Sequence, residues 1–216
     1  MNYDDLFRET ACVRIKKGTG RTLKAGGAWI YDNEIDTISG DFENGDLVTV
    51  EDFDGYPLGH GFINTSSKLT VRMLSRKKDT VVNEDFIEQR VRTAWEYRKA
   101  TTDISSCRVI FGEADLFPGL TVDRFGPVLV AQVLSLGMER IQQRLLPLLA
   151  QVLRRDGQDI AGIYLRNDVA LREKEGLTQS KGWFPLPGEA QPDLTGANIV
   201  ENSIRYRVDF INGQKT

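Results

Sequence analysis

Residues 44–74 read NGDLVTVEDFDGYPLGHGFINTSSKLTVRML, and they decide the character of the first part of the chain. Two short β-branched runs, LVTV (47–50) and LTVRML (69–74), are set off by Asn44-Gly45 and Asp54-Gly55. Both dipeptides accept positive φ at little cost, so they suit tight turns between strands. Upstream, CVRI (12–15) repeats the pattern ahead of Gly18 to Gly20 and Gly26-Gly27. Short strands at this spacing predict a small β-barrel over the first eighty residues. Residues 28–38, AWIYDNEIDTI, suit a short turn or one-turn helix carrying Trp29.

The pattern changes near residue 80. Ile87, Val91, Ala94 and Trp95 recur at i, i+4, i+7, i+8, which predicts an amphipathic helix over 83–100. Asn83 is its expected N-cap, with Glu84 and Asp85 favourably placed in the first turn. A loop and two strand-like runs follow, Gly119 to Arg124 and Val128 to Leu134, divided by Gly126-Pro127. A second helix is expected from Met138 to Arg155, burying Ile141, Leu145, Leu149, Val152 and Leu153, with a kink or break at Pro147. Gly162 to Arg166 reads as another strand and 176–198 as turn-rich. Residues 198–212 read as a hairpin in which Ile204, Tyr206, Val208 and Phe210 alternate with polar residues.

Length and composition allow one large domain or two small ones with real cores, since 40% of the 216 residues are hydrophobic. No apolar run reaches the roughly 20 residues that span a bilayer. The opening MNYDDLFRET carries acids where a signal peptide is basic and then apolar, so a cytoplasmic location is expected. Cys12 and Cys107 read as reduced, partly buried thiols. One histidine, His60, without clustered ligands gives no metal site.

The formal charge of −3 speaks against nucleic acid, yet the charges are segregated. Arg14, Lys16, Lys17, Arg21 and Lys24 occur in 11–25 without an acid. Residues 32–54 then carry only acids, from Asp32 to Asp54, and Lys68, Arg72, Arg76, Lys77 and Lys78 restore a positive block. If the two basic blocks meet on one face they form an anion-binding surface; if they are solvated strand ends they do not.

The chemistry of a catalytic centre is missing from the pattern. Gly18-Thr19-Gly20 has no helical pattern behind it, so it reads as a turn presenting basic residues, and no P-loop occurs. His60, in PLGHGF, lacks a serine elbow or a paired cysteine. Glu113, Asp115 and Asp123 read as parts of a structured loop and strand start rather than an acid–base cluster. No catalytic residue is assigned.

Five segments together resemble one family, the class I S-adenosylmethionine-dependent ribosomal RNA methyltransferases that make 5-methylcytosine in large-subunit (23S) RNA. They are KKGTGRTLKAGGAWIYDNEI (16–35), GFINTSSKLTVRML (61–74), FGEADLFPGLTVDRFG (111–126), the run from Arg166 through Asp168, Arg172 and Glu175 to Leu177, and VDFINGQKT (208–216). The resemblance implies an α+β fold: a PUA-like RNA-binding β-barrel over 1–78, a small central α+β domain over 79–197, and a hairpin over 198–216. It also implies that this hairpin would lead into a Rossmann-like catalytic domain that the chain lacks. S-adenosylmethionine would serve the full-length family and no cofactor would bind this chain. Cys12 and Cys107 do not match the family's nucleophile. Structured ribosomal RNA is the implied partner, with no membrane, and a homodimer is left open.

RNA contacts are then expected at Lys16, Lys17, Arg21 and Lys24, with Arg72 and Arg76 second and Trp29 as a stacking residue. Arg166, Arg172, Lys174 and Lys181 are further candidates, and Arg166 has Asp168 as an alternative partner. The acids of 32–54 should face away from RNA or toward another domain. Gln214, Lys215 and Thr216 would adjoin the cofactor. The alternative is a stand-alone PUA-type adaptor or regulatory protein without methyltransferase activity.

Overall fold

The structure, a computed structural model, describes residues 7, 9–201 and 203–213. Its first layer is a six-stranded sheet of β1 (Glu9–Ile15), β2 (Trp29–Tyr31), β3 (Ile35–Gly40), β4 (Leu47–Glu51), β5 (Pro57–Ile63) and β6 (Leu69–Ser75), in the order β2-β6-β5-β4-β1-β3. Every neighbouring pair is antiparallel except β1 with β4. The two edge strands, β2 and β3, are joined by only the 3₁₀ turn Asp32–Glu34, so the sheet has to curl until its edges meet. Val13, Ile15, Ile30, Val48, Val50, Ile63, Val71 and Met73 fill the resulting barrel. The one-turn helix α1 (Arg21–Lys24) contributes Leu23 to that core. Trp29, expected in a turn, begins β2 instead; the turn lies three residues later.

The second layer begins with α2 (Glu84–Thr101). Asn83 caps it, its side chain accepting from the Phe86 amide at 2.9 Å, and Ile87, Val91, Ala94 and Trp95 are buried as their spacing predicts. A five-stranded sheet follows: β7 (Ser106–Phe111), β8 (Leu120–Phe125), β9 (Val128–Val133), β10 (Gly162–Asn167) and β11 (Ser180–Trp183), in chain order across the sheet. Between β9 and β10 runs α3 (Leu136–Arg155), and because those two strands are parallel the three elements make a βαβ crossover. Pro147 lies inside α3 without dividing it: the bond that its missing N–H forfeits belongs to Gln143, whose exposed position leaves its carbonyl within reach of water.

The period of two along β9 sorts its side chains between the faces. Leu129, Ala131 and Val133 join α2 and α3 in the main core, while Val128 and Val130 meet Tyr164, Ala197 and Phe210 on the opposite side. That second face is covered by the hairpin β12 (Gly196–Glu201) and β13 (Ile204–Asp209), where Phe210 and Trp183 pack as tilted and edge-on rings around Tyr164. Helices on one face, a hairpin on the other and a parallel crossover between them correct the expected fold class. A small α+β domain without a Rossmann-like part does not describe this layer, because the βαβ unit is what Rossmann-like sheets are built from.

The barrel and the second sheet share a core. Leu47, Phe62 and Leu74 of the barrel join the cluster that contains Trp95, Phe117, Leu145 and Leu149. At the start of α3, Gly137 faces Phe62 so closely that an added Cβ would lie 2.1 Å from its Cγ. Gly137→Ala is therefore expected to cost about 1–3 kcal/mol, the range for overpacking a tight core, read as a lowered urea midpoint. An unchanged midpoint would mean that α3 and the barrel do not meet at this ring.

No helix among the described residues is long and apolar enough to cross a membrane, which says nothing of spanning by strands.

Candidate nucleic-acid interface

Local turn chemistry brings three cationic segments to one side of the barrel. Asp52 accepts the amides of Asp54 and Tyr56, both at 3.0 Å, while Gly55 takes φ +82°. The tight β4–β5 turn that results turns Phe53 and Tyr56 outward, 40% and 56% exposed. The Tyr56 amide, outweighing partial burial with help from the Asp54 amide and Lys24, holds the Asp52 carboxyl below the usual carboxylate range. α1 ends with Lys24, and β6 ends at Ser75 and releases Arg76, Lys77 and Lys78. These residues line a cleft of about 780 Å³ floored by Leu23, Leu58 and Met73. The Lys78 ammonium lies 5.4 Å from the Tyr56 ring centroid and that of Lys17 5.3 Å from Phe53, so each aromatic already carries a cation on its face.

The expected RNA residues divide between this cleft and the junction of the two layers. Lys17, Lys24 and Arg76 lie at or beside the cleft; Arg76 donates to the Gly26 carbonyl and Lys24 stands 3.6 Å from Asp52. Arg21 is exposed on α1, and Lys16 donates to the Asn33 carbonyl at 2.9 Å. Arg72 points the other way: it pairs with Glu175 at 2.8 Å and reaches Glu113 at 3.7 Å. Trp29 donates its indole N–H to Glu113 at 2.9 Å, which fixes the ring against the second layer. Gln214, Lys215 and Thr216 lie outside the described residues. Phe53, Tyr56, Lys77 and Lys78 were not singled out in the sequence as contacts, although the turn signal Asp54-Gly55 marks where the two aromatics emerge.

Of the remaining candidates, Lys174 and Lys181 are exposed, while the two arginines are held by partners. Arg166 pairs with Asp168 at 2.9 Å and also donates to the Gly213 carbonyl. Arg172 is buried, bonded to Glu139 and to the carbonyls of Val133 and Thr178. Asp115 pairs with Arg98 and Asp123 with Arg108, so the acids of 113–123 make no acid–base set. Among the described residues no group of three or more His, Cys, Asp or Glu could hold a metal. Burial and a hydrogen bond to Glu51 push the Cys12 thiol up to about 11, and burial also raises that of Cys107, so neither is a thiolate at neutral pH. Of the acidic block, Glu43 and Asp46 do turn to the second layer, both pairing with Arg140 of α3. Asp52 and Asp54 instead border the cleft, because they build the turn that displays its aromatics.

Comparison with known proteins places this architecture. A family model described as a PUA-like domain matches residues 13–76, the barrel. The rRNA large subunit methyltransferase I of Photobacterium profundum is 33% identical over 211 residues, 96% of this chain and 51% of its own length. The chain is a relative of the rRNA large subunit methyltransferase I proteins. It spans about half the length of the curated relatives it matches. Two solved structures share the fold. A protein described as a SAM-dependent methyltransferase from Streptococcus mutans matches 92% of this chain and 48% of its own at TM-score 0.69 and 18% identity. A methyltransferase complexed with SAH matches 95% of this chain and 49% of its own at TM-score 0.71 and 17% identity. The fold is thus one found in S-adenosylmethionine-dependent methyltransferases. This overturns the expectation of a fold without its Rossmann-like part, and it removes the ground for setting this chain apart from that cofactor.

In an open α/β sheet, nucleotides sit where a parallel strand feeds the N-terminus of the next helix. Here that is the β9–α3 junction, and protein fills it. Ser135 donates to the Pro118 carbonyl at 2.7 Å, Arg172 caps the Val133 carbonyl, and Gly137 lies against the Phe62 ring. The residues present do not fit an adenosyl group at this mouth, and groups holding one are to be sought elsewhere.

Proposed function

We propose that this chain supplies RNA recognition to a large-subunit rRNA methyltransferase that uses S-adenosylmethionine, and that the cleft on its PUA-like barrel is where the RNA docks. The observation that carries this reading is the convergence of Lys24 with Arg76, Lys77 and Lys78 around one cleft beside exposed Tyr56. We assign 1–78 to RNA binding, 79–197 to the sheet that supports it, and 198–216 to the hairpin against that sheet. The cytoplasm is the compartment that suits such a substrate.

In this reading Lys17, Lys24, Arg76, Lys77 and Lys78 contact phosphates, with Lys16 and Arg21 flanking them. Such contacts supply affinity and register but little sequence information. Unpaired bases stack on the sides of Tyr56 and Phe53 opposite Lys78 and Lys17, an interaction any base can make. Trp29 and Arg72 serve the junction between the layers. The net charge of −3 does not oppose this, because Glu43, Asp46 and Glu51 are paired on other elements and the cleft's own lining sets Lys24, Arg76, Lys77 and Lys78 against one acid, Asp79.

Tyr56→Ala tests the platform. Fluorescence anisotropy with a labelled large-subunit rRNA fragment containing a single-stranded loop should show a loss of about 1–3 kcal/mol. Trp29→Ala should leave RNA affinity nearly unchanged while lowering stability. The reverse pattern would move the docking face to β2.

A further inference from the structure

His60 is buried, 6% exposed, and the proposed contacts make no use of it. It lies on β5 with Thr49 of β4 on one side and Ser75 of β6 on the other. Its Nδ1 is 2.8 Å from the Glu9 carboxylate on β1, and its Nε2 is 3.1 Å from the Lys78 carbonyl. Both partners only accept. A neutral imidazole has one N–H and would set a lone pair against one of them; the imidazolium has two and satisfies both.

The carbonyl it grips belongs to the cationic rim of the cleft. The rim is also held by the Lys77 amide to Ser75 Oγ at 3.2 Å, by Ser75 Oγ to Thr80 Oγ1 at 2.7 Å, by Arg76 to the Gly26 carbonyl and by Lys78 on the Tyr56 ring, but none of these grips the Lys78 backbone. We propose that His60 is a positioning residue whose imidazolium, bonded at once to Glu9 and to the Lys78 carbonyl, holds the Arg76–Lys78 rim in its RNA-binding arrangement. The role in binding rests on the RNA reading; the clamp does not.

The charged groups around His60 agree. β1 brings Glu9, β4 and β6 bring only the hydroxyls of Thr49 and Ser75, and the Lys78 ammonium is turned to Tyr56. The Glu9 hydrogen bond, against burial, raises the His60 pKa above its ordinary value. Burial lifts the Glu9 carboxyl, but its bonds to His60 and Thr49 outweigh that and leave it below the usual range. A raised histidine contributes fully below its unfolded pKa of about 6.5, and the contribution is lost as pH rises through its folded value. A fall in affinity between pH 6 and 9 that His60→Gln abolishes therefore reports His60.

His60 is the only histidine of the chain, so its ring signals in NMR of the untagged protein are unambiguous. The expected result is a pKa above 6.5, the Lys78 and Lys77 amides titrating with it, and a downward shift in Glu9→Gln. In parallel, affinity for the rRNA fragment should fall about three- to tenfold from pH 6 to 9, the effect of one hydrogen bond, and His60→Gln should flatten that profile. Two outcomes overturn the clamp: a ring that titrates at or below 6.5, or rim amides that ignore it. Identical pH slopes in wild type and His60→Gln overturn its role in binding. A chain that binds no RNA at any pH, with the NMR titration as expected, sinks the RNA reading and leaves the clamp standing.

Discussion

Glu175→Ala is expected to lower the unfolding free energy by about 3–5 kcal/mol, the cost of removing one member of a buried ion pair. The 3₁₀ turn Ala170–Glu175 is ended by Gly176 at φ +77°, and the reversal aims Glu175 into the barrel. There its carboxylate, 4% exposed as a residue, accepts from Arg72 at 2.8 Å, Ser67 at 2.9 Å and Asn64 at 3.3 Å, and its carbonyl takes a second bond from Asn64. Without it the Arg72 guanidinium is left largely buried, with Nε already unpartnered among the described residues and only the longer contact to Glu113 remaining. Arg72→Met combined with Glu175→Leu should recover much of the loss, since both charges then leave the interior together. Urea denaturation followed by tryptophan fluorescence measures this directly. A loss below about 1 kcal/mol would class the pair with exposed salt bridges and leave the shared apolar core as what joins the barrel to the second layer.

The second large effect concerns binding. Lys24→Glu with Lys78→Glu should weaken RNA affinity by about 10- to 100-fold at low salt, because two phosphate contacts become two repulsions. Stability should barely move. The Lys24 side chain is 60% exposed and its 3.6 Å approach to Asp52 is of the kind that contributes little. Far-UV circular dichroism unchanged alongside lost binding would separate the two effects, and retained affinity would clear both lysines of any contact.

What could be read from the chain divides by range. Local patterns carried the elements: α2 and α3 begin within two residues of their periodicity, and the hairpin of 198–212 follows from its alternation. β7 escaped because a bulge between Arg108 and Ile110 breaks its alternation, which leaves SCRVIF without a period of two. The parallel partnership of β1 with β4 and the βαβ unit are long-range pairings that no local signal encodes. The same limit governs the site. Segregated charge was visible along the chain, but which cations converge depends on register: β2 sets Trp29 opposite Arg72 at the junction, while the chain leaving β6 returns Arg76–Lys78 to face Lys24. The sequence left open whether the two basic blocks meet on one face; strand pairing brings Lys24 to Arg76–Lys78 and takes Arg72 away to Glu175.

The most direct test of the cleft is the salt dependence of RNA binding by the wild-type chain beside the Lys24→Glu, Lys78→Glu variant. Each phosphate contact contributes a slope of about −0.7 in log affinity against log salt for a single strand. Five cationic contacts should therefore give the wild type a slope near −3.5, with the variant shallower by about 1.4 or more. Equal slopes for the two proteins, or a wild-type affinity indifferent to salt, would contradict the assignment of this cleft to RNA.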